Sequence, residues 1–318
     1  MGIYATLHKM VNNPKTTANA VTIDQITTFS PSPGLTRLLR SAGGELDGTF
    51  AAVRQVDPRW AFSTTDVATF LAENSSKSLY NGLKIDSDVT YEGLRAYFKQ
   101  RAAGGAFTGA GANIMMTVGD GLILVDDISV NGKEDAVLSG RVIPVSPDGS
   151  DAPIAIAADE DLPAGDPVVS NVYGMGPVVV NNSEVGYVQS VRLAMNIQEI
   201  VRGNGASIYN TFAAVGPRTP VILVDTLDAD WLVTLDVLGS LQATSLTYFY
   251  LRKREAGGAF YADNTSNHIK VLMVSSQHVI MELPDDNGDL KPQIAIVPVK
   301  SGANDIFTVT TGVAITVP

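Results

Sequence analysis

Three histidines, His8, His268 and His278, are the only side chains in this 318-residue sequence whose ordinary titration falls near neutrality. His268 and His278 flank an expected strand–turn–strand segment, and in β-structure that spacing does not force two rings together. A lone strand histidine is far more often a packed or surface residue than a base. No HExxH, GxSxG or GxxxxGKS/T string occurs, and no GxGxxG follows a strand. Asp285-Asp286-Asn287-Gly288-Asp289 has the flavour of a calcium loop, but the twelfth position is Ile296, not the bidentate Glu such a loop needs. Asp-Asn-Gly between apolar runs reads better as a hairpin turn. Asp126-Asp127 and Asp159-Glu160-Asp161 are acidic clusters without ligand spacing. Nothing singles out a carboxylate pair for glycoside hydrolysis, and a hydrolase would have to lean first on His268 or Asp126. Without cysteine there is no thiolate metal site, disulfide or sulfur nucleophile. The expectation is a protein with no catalysis, no cofactor and no metal.

Charge narrows the classes further. The net charge is −11, with 13 basic against 17 acidic residues in 1–159 and 9 against 16 in 160–318. Both halves are acidic, so neither offers the basic surface that holds nucleic acid by neutralising phosphates. No apolar run reaches membrane-spanning length, and the N-terminus lacks the charged-then-apolar layout of a signal peptide. Met1–Thr6 matches the loose myristoylation pattern, a six-residue match common by chance.

What the sequence does write conspicuously, it writes twice. RAAGGAF at 101–107 returns as REAGGAF at 254–260, an offset of 153. TFAAV at 49–53 returns unchanged at 211–215, an offset of 162, and Ile143-Pro144-Val145 is answered by Val297-Pro298-Val299 at 154. Three strings in the same order with similar offsets imply a duplicated domain, since two copies of this length are too few for a solenoid or propeller. The drop in offset places extra residues of the first copy near the polar stretch 73–78. The expected division is 1–158, a linker at 159–166, and 167–318, which matches the size of ordinary domains.

Each copy reads as mainly antiparallel β, a sandwich or half-open barrel with one short helix. Arg59–Ser63 and Val221–Asp225 are short strands; then Val67, Phe70 and Leu71, and in the second copy Trp231, Leu232 and Leu235, take helical spacing behind Asp66 and Asp228. Leu246–Arg254 alternates with period two, and Arg95–Arg101 matches it with Tyr97 falling on Tyr250. Ile114–Val118 with Leu122–Val125, and Ile269–Val274 with Val279–Met281, read as hairpins. Residues 1–20 are read as an arm reaching a neighbour, and both 1–20 and 172–185 as long hairpins or loops that link to neighbours; flexible termini and linkers are the competing reading.

The repeated string then closes a strand that ends in basic residues. Lys99 and Arg101 precede Gly104, Gly105 and Phe107; Arg252 and Arg254 precede Gly257, Gly258 and Phe260. Paired glycines permit a sharp turn, and the phenylalanines are expected to re-enter the core. These ten residues are the candidate inter-subunit contacts, because a basic edge in an acidic chain suits an acidic neighbour. A plain tight turn is the competing reading.

Ser30-Pro31-Ser32-Pro33-Gly34-Leu35, Gly43–Phe50 and Ala61–Thr69 resemble tail proteins of long-tailed bacteriophages. Over its whole length the chain resembles the major tail tube protein in a form with a duplicated tube domain. That resemblance implies a structural virion protein made in the bacterial cytoplasm, whose stacked rings form a hollow tube. Three chains would supply six domains per ring, and DNA would pass an acidic lumen without specific binding. It also implies other tail proteins as partners: tape measure, terminator and distal tail protein. A tail-tip or surface adhesin with two β-sandwich domains is the alternative.

Overall fold

A computed structural model describes residues 4–318 except 13–20, 42, 44–46, 49, 73–78, 80, 88–91, 102–104, 108–110, 164–170, 229, 232–238, 244–245, 256, 274–276, 283–284, 287–288, 291 and 301–305. The chain is mainly β, with antiparallel sheets throughout. One five-stranded sheet has the order β12 (Ile154–Glu160), β9 (Asn113–Val118), β8 (Leu94–Arg101), β1 (Tyr4–Asn12) and β2 (Val21–Ile23). A second has the order β26 (Phe307–Val313), β21 (His268–Met273), β20 (Thr247–Lys253), β13 (Tyr173–Val180) and β14 (Ser183–Val185).

The largest sheet has ten strands and runs through both halves of the chain. The second half supplies β19 (Gly239–Ala243), β22 (Gln277–Glu282), β25 (Gln293–Pro298), β18 (Val221–Thr226) and β15 (Val188–Ala194) in that order. The first half continues with β10 (Asp120–Asn131), β11 (Val137–Val145), β6 (Arg59–Thr64) and the edge strand β3 (Ile26–Ser32). β7 (Leu83–Ile85) pairs with the beginning of β10, and β15 pairs with its end, Asp127–Asn131. Three hairpins stand apart: β4 (Leu35–Arg40) with β5 (Phe50–Val56), β16 (Ile197–Gly203) with β17 (Asn210–Arg218), and the short β23 (Asp285–Asp286) with β24 (Asp289–Leu290).

Register repeats along with order. Phe29 faces Phe62 and Val191 faces Val224, 162 residues on, and each pair of strands carries its bulge at the matching place, Ile26/Thr28 and Val188/Ser190. Leu35 faces Val56 as Ile197 faces Arg218, at the same offset. The bend after β6 is also written twice. Thr64 Oγ1 donates to Asp24 O at 2.6 Å and accepts from Asp66 N at 3.0 Å; Thr226 Oγ1 does the same with Gly186 O and Asp228 N. Asp228 Oδ1 then accepts from Trp231 N at 3.0 Å, an N-terminal cap. Helix α1 (Val67–Ala72) buries Val67, Phe70 and Leu71 as its spacing predicts. Its expected counterpart is helical at Asp230 and Trp231, and 232–238 lie outside the described residues, as does the polar stretch 73–78.

Several expectations are corrected. The runs 114–118 and 122–125 are not a hairpin: β9 belongs to a five-stranded sheet and β10 to the ten-stranded one, and β21 and β22 part in the same way. Two consecutive apolar runs bury as much by crossing between stacked sheets as by pairing in one, and local sequence does not distinguish these. Residues 4–12 are no arm. They form β1, hydrogen-bonded between β8 and β2, with Met10 fully buried, and 173–185 form β13 and β14 of the other sheet. β20 is buried on both faces, so period two was a weak guide there.

Candidate functional site

The twin turns are built alike. Arg101 pairs with Phe107, and Arg254 with Phe260, as isolated antiparallel bridges. Gly105 and Gly258 adopt φ of +90° and +86°, a region L side chains rarely enter, and their carbonyls accept from the arginine that opens each turn. The guanidinium lies over the phenylalanine ring, with centroid distances of 5.2 Å in the first turn and 4.3 Å in the second, and Lys99 and Arg252 approach the same rings more distantly. Gly104 lies outside the described residues; Gly257 is exposed. The phenylalanines do not re-enter the core, since Phe107 is 55% and Phe260 37% exposed. Each ring is held outside by its arginine, a cation–π pairing that needs no burial. Phe260 sits deeper because it lies over Gly174, where a Cβ would come within 2.8 Å of the ring.

The two turns differ in what they touch. Arg254 Nη2 donates to Lys133 O at 2.7 Å, and its Nε lies 3.1 Å from Asp135 Oδ1, both in the turn between β10 and β11. Arg252 pairs with Asp263. Among the described residues, Arg101 meets no carboxylate, and it is exposed. The structure therefore brings one expected contact residue onto the other half of the chain and leaves its counterpart facing solvent. Beside Arg254, Tyr173 O accepts from Ala136 N at 2.6 Å, and burial, reinforced by the charge of Asp66, pushes the Tyr173 phenol up to about 12.

A separate set of contacts between the halves was missed by sequence reasoning. Glu199 on β16 binds two arginines of the first half: Arg59 Nη2 at 2.8 Å and Arg141 Nε at 3.1 Å. Arg141 also pairs with Asp126 and donates to Ile197 O at 2.7 Å, while Arg59 pairs with Asp57. Asn210 Nδ2 donates to Asp57 Oδ1 at 2.8 Å. Asp126 is thus committed to a structural ion network, and only its acidic type was legible beforehand.

One face of the ten-stranded sheet is a polar ladder. Ser63 and Ser139 hydroxyls meet at 3.3 Å, Arg192 Nη2 donates to Asp127 Oδ2 at 3.0 Å, and Asp225 accepts from Ser190 Oγ at 2.5 Å and Gln293 Nε2 at 2.9 Å. Asp127, Ser129, Asn131 and Ser190 line an open groove of about 500 Å³ where the two halves join. The opposite face carries Ile128, Val130, Val191 and Val224 into the core.

His268 is fully buried, with Nδ1 accepting from Lys253 N and Nε2 against Ala262 O, each at 3.1 Å, so both ring nitrogens serve the backbone. His278 lies on β22, in a different sheet. Among the described residues no cluster of three potential metal ligands occurs. Asp285–Asp286 and Asp289–Leu290 pair as the antiparallel strands β23 and β24, while Asn287 and Gly288 lie outside the described residues. Among the described residues no helix is long and apolar enough to cross a membrane. No protein-family model matches the chain, and no curated protein is significantly similar to it.

Proposed function

We propose that this chain is a structural, self-assembling protein of the tail-tube kind, in which one β-domain is duplicated as 1–158 and 167–318. The observation that carries this reading is the junction within the chain. Two halves with the same strand order and register share one ten-stranded sheet through β10 and β15. A unit that joins its own twin edge to edge, and ends on the open edge β3, is built to continue. Head-to-tail contacts of this type either close into rings or run on as filaments. Three chains then supply six domains, and stacked rings enclose a channel. The polar ladder suits the channel wall: hydroxyls with more carboxylates than guanidiniums give a passing polyanion nothing to bind. The phage resemblance supports the same assignment, with a virion-tail location, tail proteins as partners and no enzymatic role.

Electron microscopy of the purified full chain tests this directly. Rings or tubes with threefold-related subunits are expected, and a monodisperse monomer at every concentration overturns it. The adhesin reading draws on a different feature, an apolar groove of about 400 Å³ lined by Pro31, Pro33, Tyr209, Ile154 and the exposed Ile156. Specific glycan capture through that groove, without tube formation, would favour it.

A further inference from the structure

Each five-stranded sheet ends on the last strand of its half, β12 in the first and β26 in the second. Their registers match. Ile154 faces Val118 and Ile156 faces Met116, as Phe307 faces Met273 and Val309 faces Val271. In the large sheet Pro31 faces Trp60 as Leu193 faces Ile222. In the second half Leu193, Ile222, Val271 and Phe307 are all buried, with β10 of the first half lying along β15 and helix α1 of the first half lying against β26. In the first half the matching positions wall the open apolar groove of about 400 Å³ between the edge strands β3 and β12. There Pro31 is exposed, Met116 and Ile154 are half-buried, and Ile156 is 70% exposed. An apolar wall that is buried in one copy and bare in the other lacks its cover.

The cover used inside the chain has a counterpart in the second half. Helix α1 follows a root made of Gln25 and Thr65, in which Thr65 N donates to Gln25 O at 3.3 Å and Thr65 Oγ1 to Gln25 Oε1 at 2.8 Å. At an offset of 162, Leu227 N donates to Tyr187 O at 3.2 Å, and Tyr187 repeats the left-handed backbone of Gln25, with φ of +45° against +49°. The backbone is copied and the side chains are not. Gln25 and Thr65 are a half-buried polar pair; Tyr187 and Leu227 are 79% and 54% exposed. A bulky residue at positive φ is uncommon, and this pair leaves its apolar surface in water.

We propose that Tyr187 and Leu227 of one copy dock into the groove between β3 and β12 of a second copy of this chain, against Ile154 and Ile156. The step that carries the first half onto the second places α1 on β26. Taken once more, the same step brings the root at Tyr187 and Leu227 to β12 of the next copy. The contact rests on the tube reading for ring closure alone; the groove and its cover follow from the internal junction. Walls of Pro31, Pro33, Ile154 and Ile156 suit an apolar pair and give sugar hydroxyls few partners.

The cysteine-free sequence allows the two sides to be labelled cleanly. In the full-length Ile156→Cys/Leu227→Cys variant, a short bismaleimide is expected to give a ladder of covalent dimers and trimers, while each single-cysteine variant stays uncoupled. A double variant that stays monomeric where the wild type assembles, or an Ile156→Cys variant that couples to itself as readily, overturns the inference. Separately, Ile156→Lys and Leu227→Lys should each raise the concentration needed for assembly by about tenfold or more. Far-UV circular dichroism should be unchanged, since both side chains are exposed within the single chain. Ile156→Lys combined with Leu227→Asp should regain part of that loss. Tubes formed with wild-type efficiency by the single variants would sink this interface and leave the tube reading standing. Glycan capture lost in Ile156→Lys, with assembly unchanged, would assign the groove to a ligand and sink the interface too. Variant-sensitive association into oligomers that never form rings would sink the tube reading and leave the interface. Monomers throughout would sink both.

Discussion

Arg101 and Arg254 show how one residue type, placed twice in the same turn, acquires two fates. Each spends donors on its own glycine carbonyl and its charge on its own phenylalanine. Among the described residues, Arg254 but not Arg101 donates across the junction, to Lys133 O in the turn between β10 and β11. Glu199 works similarly as a shared acceptor. Glu199→Ala leaves Arg59 and Arg141 to divide Asp57 and Asp126 between them, and is expected to cost about 1–3 kcal/mol in urea unfolding. Tyr173 supplies a pH signature. Its phenol is raised from 10.0 to about 12 by burial and then by Asp66, so the unfolded chain loses that proton first as pH rises. Its contribution is complete below about pH 10 and is lost through about pH 12, at up to about 1.4 kcal/mol per pH unit. Tyr173→Phe should flatten that alkaline slope in unfolding titrations, leaving behaviour near neutrality governed by packing.

Elements here are placed by their neighbours more than by their propensities. The β4–β5 hairpin leaves the sheet at Gly34, whose φ is +55° and whose missing Cβ would lie 1.8 Å from Asp57 O. No side-chain adjustment relieves a clash with backbone, so Gly34→Ala must shift the hairpin root. The expected outcome is a folded but less stable chain, read by thermal melting. An unchanged melting midpoint would mean that the hairpin root absorbs the added methyl without strain. Element identity was legible from period and turn residues at β6, β18 and α1. It was less legible at β9–β10 and β21–β22, where two adjacent apolar runs leave open whether the chain folds back or crosses to the other sheet.

At the scale of the whole molecule, the two halves share a sheet and one large hydrophobic cluster. A shared core couples their unfolding. Trp60 sits in the first half and Trp231 in the second, both buried. Single-tryptophan variants Trp60→Phe and Trp231→Phe should therefore report coincident urea transitions. Two separated midpoints would show that the halves are independent units joined only at their surfaces.

The repeated strings, the acidic balance, the absence of cysteine and the β-periodicity are properties of the sequence alone. They were enough to expect a mainly antiparallel β-protein, and to pick out the turn at 101–107 and 254–260 as a place of interest. They could not say that Phe107 and Phe260 stay outside, that residues 4–12 belong to a sheet, or that Arg141, Glu199 and Arg59 meet. Those outcomes depend on which segments far apart in the chain come together, and local composition carries no record of that. Two nearly identical turns can be read from sequence; which of them finds a partner is decided only when β15 closes on β10.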